Sequence, residues 1–131
     1  MGDTLAKNVN EETCFQSFNT RILNSAGGSW DSPPSGGSIA AQGEKYSKEI
    51  LATITRHKGD RWGWKDPRTS LTFDLYEPHL GGDVYLYCCF RRPEKVVESL
   101  TRRNGSGPDW RGVTDEYNRR ILASIQKFVR L

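Results

Sequence analysis

Seven residues in a row, Val84-Tyr85-Leu86-Tyr87-Cys88-Cys89-Phe90, are apolar or aromatic, with no charge among them. Turn residues Gly81-Gly82-Asp83 precede the run, and Arg91-Arg92-Pro93 follows it. A short apolar run bounded by turn signals predicts a strand buried on both faces. Such a strand needs neighbours, so this run constrains the fold more than any other feature of the chain.

The flanking segments predict the rest of the topology. Phe15, Phe18, Ile22 and Leu23 recur at helical spacing, which predicts a helix over Glu11–Asn24 with Asn10 as N-cap and Ala26-Gly27-Gly28 as its stop. Residues 29–38 hold two Pro, two Gly and four Ser and are expected to form a flexible loop. A second helix is expected over Ile39–His57, with Tyr46, Ile50, Leu51 and Ile54 on one face. Trp62-Gly63-Trp64 reads as a short strand that Pro67 stops. Helices are then expected over Thr69–His79, over Pro93–Arg103 with Val96, Val97 and Leu100 inward, and over Thr114–Leu131. The last carries Ile121, Leu122, Ile125, Phe128 and Val129. Strand, helix, strand makes a βαβ unit with parallel strands and a right-handed crossover. The predicted fold class is therefore α/β: a small parallel sheet with flanking helices.

Composition narrows the function classes. At 131 residues the chain has room for one domain. Its net charge of +3 is too weak to argue for nucleic acid. The basic residues are unevenly placed, with Arg91, Arg92, Lys95, Arg102 and Arg103 close together. A local basic surface suits a small polyanion. No run reaches membrane-span length, and MGDTLAKNVNEE has no apolar core, so neither a membrane anchor nor a secretory leader is expected. Cys14, Cys88 and Cys89 are odd in number with no CxxC, which fits neither a disulfide framework nor a zinc site. A reducing, cytoplasmic location and no metal are expected.

In an open α/β sheet, ligands bind beyond the carboxyl ends of the strands. Two motifs fall there: Lys65-Asp66-Pro67-Arg68 and Arg91-Arg92-Pro93-Glu94-Lys95. Each precedes a helix whose first amides favour an anion. Ser99 follows Arg91 by eight residues, near a whole number of helical turns, so both are expected to hold one oxyanion. Each motif also has a plainer reading. RRPEK is an ordinary solvated helix start with Pro at N1. Lys65 and Arg68 fit a surface turn, with Asp66 as helix N-cap or arginine partner.

Together the motifs resemble the sulfotransferases that use 3′-phosphoadenosine-5′-phosphosulfate (PAPS). That family's 3′-phosphate motif is a strand followed by Arg-x-Pro-x-x-Val-x-x-Ser, matched by Arg91, Pro93, Val96 and Ser99. The ordered set WGWKDPR, the apolar run and RRPEKVVESLTRR, with GGSWDSPP upstream, is similar to bacterial and marine sulfotransferase-like proteins. The resemblance covers residues 15–125. It implies a single sulfotransferase-like domain over residues 1–131, part of a P-loop NTPase-like three-layer αβα fold. It implies transfer of a sulfonate from PAPS to a hydroxyl or amine of a small-molecule or glycan acceptor. Lys65 and Asp66 would be catalytic, with Lys65 facing the sulfonate and Asp66 the candidate base. Arg91, Ser99, Arg68 and Arg103 would bind PAPS or its product, 3′-phosphoadenosine-5′-phosphate (PAP). Two departures stand out. Pro67 occupies the position where cytosolic members carry a basic His, and no glycine-rich 5′-phosphosulfate loop precedes residue 10. The alternative is a catalytically incomplete nucleotide-binding module, or a remnant that assembles through an exposed sheet edge into a homo-oligomer.

Overall fold

The computed structural model describes the backbone of residues 2–128 and the side chains of residues 14–128. Val129 and Leu131, assigned to the last helix from sequence, lie outside the described residues. Six α-helices are present among those residues: α1 (Gly2–Ser25), α2 (Gly36–Ala40), α3 (Gly43–His57), α4 (Thr69–Tyr76), α5 (Pro93–Asn104) and α6 (Trp110–Phe128). A 3-10 turn, Glu77–His79, extends α4.

No strand forms among the described residues. The expectation of an α/β, P-loop NTPase-like three-layer fold with a parallel sheet is therefore wrong for this chain; it is helical. The physical reason lies in the two segments that were to pair. Trp62-Gly63-Trp64 is three residues long, and its indoles stack with each other at 5.9 Å between ring centroids. Trp64 also stacks on Phe15 at 4.2 Å and packs against Tyr76 at 5.1 Å. That segment joins a helical core. Val84–Phe90 is left without a neighbour, and a lone strand has no ladder to form. Tyr85 and Tyr87 are 76% and 90% exposed.

The core forms where the helical periodicity places it. Phe15, Phe18, Ile22 and Leu23 are buried on α1, and Tyr46, Ile50 and Ile54 on α3. Leu71, Leu75 and Tyr76 join them from α4. Leu51, expected inward, is half exposed. Burying a large apolar side chain stabilises by about 1.5–3 kcal/mol, so this single cluster dominates the stability of the fold. The eight-residue α4 sits at its centre, in contact with α1, α2, α3 and α6.

Element ends show local chemistry. Helix α1 begins well before Glu11, so Asn10 lies within it and is not its N-cap. Its C-terminus ends as expected at Gly27, which takes φ +89°, a conformation without penalty only for glycine. The Gly27 amide donates to the Asn24 carbonyl (3.1 Å) and the Gly28 amide to that of Leu23 (3.0 Å), a Schellman stop. The helix expected over Ile39–His57 is broken in two. The Ser35 hydroxyl caps α2 by accepting from the Ser38 amide, and α3 restarts at Gly43. Gly43 faces Leu75 of α4, close enough that a side chain there would make ordinary contact with it.

Candidate functional site

The Lys65–Arg68 motif forms the entry to α4. The carbonyls of Asp66, Pro67 and Arg68 accept from the amides of Thr69, Ser70 and Leu71 at 2.9, 3.1 and 2.9 Å. Lys65 is exposed, whereas the Asp66 side chain is almost completely buried. The Asp66 carboxylate accepts from Arg68 NH1 at 3.0 Å and from Asn19 Nδ2 at 2.9 Å. It also lies 3.4 Å from the Arg68 amide. The arginine-partner reading of Asp66 is thus realised. Both ends of this ion pair are shielded from water. Each keeps the other's charge compensated, which matters because a buried charge left alone is expensive.

Asn19 on α1 is the centre of the arrangement and is fully buried. Its amide nitrogen donates to Asp66 and, at 3.1 Å, to the Thr69 hydroxyl. Its carbonyl oxygen accepts from Thr72 (2.9 Å) and Tyr76 (2.7 Å). Both donors and both lone pairs are used, which saturates the hydrogen-bonding capacity of the amide. Trp64 Nε1 donates to Thr69 at 2.9 Å and extends the network to the aromatic cluster. Burial, reinforced by the Asp66 carboxylate, pushes the Tyr76 phenol upward in pKa and keeps it a neutral donor. Sequence reasoning assigned Asn19 no role. The available signal was a polar amide flanked on one helix face by Phe15, Phe18 and Ile22.

A second layer joins α6 to the GGSWDSPP segment. The Tyr117 hydroxyl donates to the Trp30 carbonyl (2.7 Å), and Arg120 donates to the Pro34 carbonyl (2.6 Å). The Trp30 and Trp110 indoles stack at 5.6 Å. Burial raises the Tyr117 phenol, while the nearby Arg68 guanidinium pulls it the other way. The segment 29–38 is thus tied at two carbonyls, and its last residues belong to α2.

Arg91 is exposed and immediately precedes the α5 start, where Arg92 is the N-cap and Pro93 opens the helix. Ser99 is half-buried within α5, and Arg103 is exposed in its last turn. Arg103 lies ten residues beyond Pro93, about 15 Å along the axis, so it and Arg91 mark opposite ends of the helix. Two ion pairs occupy the first turns: Glu94 with Arg111 at 3.6 Å and Lys95 with Glu98 at 3.7 Å. Among the described residues, Lys65 and Arg91 make no ion pair.

No sheet edge brings the two motifs together, because no sheet forms among the described residues. Helix α6 links them instead, packing against both α4 and α5. Arg68 belongs to the buried pair with Asp66, and its Nε is buried without a hydrogen-bond partner. A shallow groove of about 250 Å³ lies between α1 and α3 and includes Cys14, Arg21, Glu49 and Arg56. None of the sequence-selected residues lines it. No described helix is long and apolar enough to cross a membrane. Comparison with protein-family models, with curated proteins and with solved structures finds no match for this chain.

Proposed function

We propose that this chain is a sulfotransferase-related module that binds a 3′-phosphoadenosine nucleotide in the cytoplasm, with Arg91 and Ser99 on the 3′-phosphate. The observation that carries the reading is the contrast among the cations. Arg68 and Arg120 are committed to Asp66 and to Glu116, whereas Arg91 and Lys65, like Arg92, Arg102 and Arg103, stand exposed with no ion pair among the described residues. Arg91 lies just before α5, where the helix dipole favours an anion, although Pro93 supplies no amide donor there. An Arg guanidinium grips a phosphate through two parallel hydrogen bonds, and a serine hydroxyl adds a neutral donor.

Binding is better supported than turnover. Sulfonyl transfer requires charge stabilisation and in-line positioning around the sulfonate. Lys65 is the cation assigned to that role, facing a hydroxyl or amine of a small-molecule or glycan acceptor. The carboxylate of Asp66, the candidate base, is held by Arg68 and Asn19. Titration calorimetry with PAP tests the assignment. Arg91→Ala is expected to weaken binding by about tenfold to a hundredfold, the loss of one charge-assisted contact. Ser99→Ala should weaken it by about fivefold. Arg56→Ala, on the exposed face of α3, should leave it unchanged. Equal affinities for wild type and Arg91→Ala remove Arg91 from the site, and no heat with PAP ends the proposal.

A further inference from the structure

Residues Gly81–Arg91 make no backbone hydrogen bond among the described residues, either as donor or as acceptor. Backbone amides and carbonyls require partners, from water or from another chain. Here they border side chains that water serves poorly. Tyr85 is 76% exposed, Tyr87 90% and Phe90 49%, while Val84 and Leu86 are half-buried. The composition Val-Tyr-Leu-Tyr has high strand propensity. An unpaired strand-forming segment with aromatic side chains is a template for another strand.

The identity of that strand follows from the charges at the segment's ends. Asp83 stands at one end and Arg91 at the other, with seven uncharged residues between. We propose that Val84–Phe90 pairs antiparallel with the same segment of a second copy, about a two-fold axis through Tyr87. In that register Asp83 stands opposite the partner's Arg91, Tyr85 opposite the partner's Cys89, and Tyr87 opposite the partner's Tyr87. The attractive Asp83–Arg91 pair then occurs twice, once at each end of the ribbon. Parallel in-register pairing sets Asp83 against Asp83 and Arg91 against Arg91, which is repulsive. The antiparallel register also keeps Tyr85, Tyr87 and Cys89 on one ribbon face and Val84 and Leu86 on the other. The interface is isologous, as two-fold dimers require.

Two experiments on the full chain test the register. In sedimentation, wild type should show a dimer fraction that rises with concentration. Asp83→Arg places two cations opposite each other at both ends and should weaken the dimer about tenfold. The double variant Asp83→Arg/Arg91→Asp restores opposite charges and should restore the dimer. In a background with Cys14, Cys88 and Cys89 changed to Ser, Tyr87→Cys should cross-link under mild oxidation. Directly opposed residues lie about 4.5–5.5 Å apart at Cα, within disulfide reach. Thr55→Cys, exposed on α3, serves as the control. A chain that stays monomeric at every concentration overturns the proposal. So do assemblies larger than dimers, a dimer insensitive to Asp83→Arg, or Tyr87→Cys linking no faster than Thr55→Cys.

Discussion

Asn19 sets the limit on what any substitution near the Lys65–Arg68 motif can leave standing. Its four hydrogen bonds hold Asp66, Thr69, Thr72 and Tyr76. Asn19→Ala removes the amide and leaves the hydroxyls of Thr69, Thr72 and Tyr76 and one carboxylate oxygen of Asp66 without that partner. The expected loss is about 2–4 kcal/mol of stability, measured by urea unfolding. That is a large part of the 5–15 kcal/mol typical of a domain. The fold should fail before any ligand chemistry is affected. Asp66 and Arg68 therefore make poor positions for probing function, because either substitution strands a buried charge. Lys65 and Arg91 are the informative ones, being exposed.

At the scale of elements, α6 determines how the motif-bearing segments are joined. It packs on α4 and α5 and holds the carbonyls of Trp30 and Pro34 through Tyr117 and Arg120. Arg120 in turn is positioned by Glu116 at 2.6 Å. The hydrogen bond from Arg119, aided by Arg120, holds the Glu116 carboxyl below its usual pKa. A depressed carboxylate contributes stability that is present above the ordinary value of 4.5 and lost as pH falls through the folded one. Glu116→Gln should therefore be less stable than wild type at neutral pH, by under about 1 kcal/mol because the cluster is partly solvated. The two should converge as the pH drops below the carboxylate range, in thermal melts run across pH. Helical periodicity made α1, α3 and α4 legible, since Phe15, Ile22, Ile50 and Tyr76 are buried where spacing put them. The break at Ala41–Gln42 was not legible, because Ile39 and Tyr46 on either side of it keep helical spacing and are both buried.

At the scale of the whole molecule, the two proposals meet at Arg91. The guanidinium is assigned to a 3′-phosphate in the nucleotide-bound chain and to the partner's Asp83 in the dimer. Shared use of one cation couples the two equilibria, and coupling is reciprocal. Added PAP should lower the dimer fraction in sedimentation, and raising the protein concentration should weaken apparent PAP affinity. Asp83→Ala should remove the competition without removing the nucleotide site. A dimer indifferent to saturating PAP would show that the two interactions use different groups.

The amino-acid sequence by itself determined where most of the helices lie and most of the apolar faces of α1, α3 and α4, because those depend on neighbours three and four positions away. It also determined the exposed basic residues around α5 and the apolar run at Val84. It did not determine what that run does. The same seven residues read as a doubly buried strand, yet among the described residues they have no sheet to enter and lie largely in solvent. Strand formation depends on a partner that local sequence cannot supply, whereas a helix satisfies its own backbone. Tertiary structure likewise decided the Lys65–Arg68 motif. It divided one cationic cluster into a partly buried Arg68, paired to an Asp66 whose contacts reach back to α1, and an exposed Lys65.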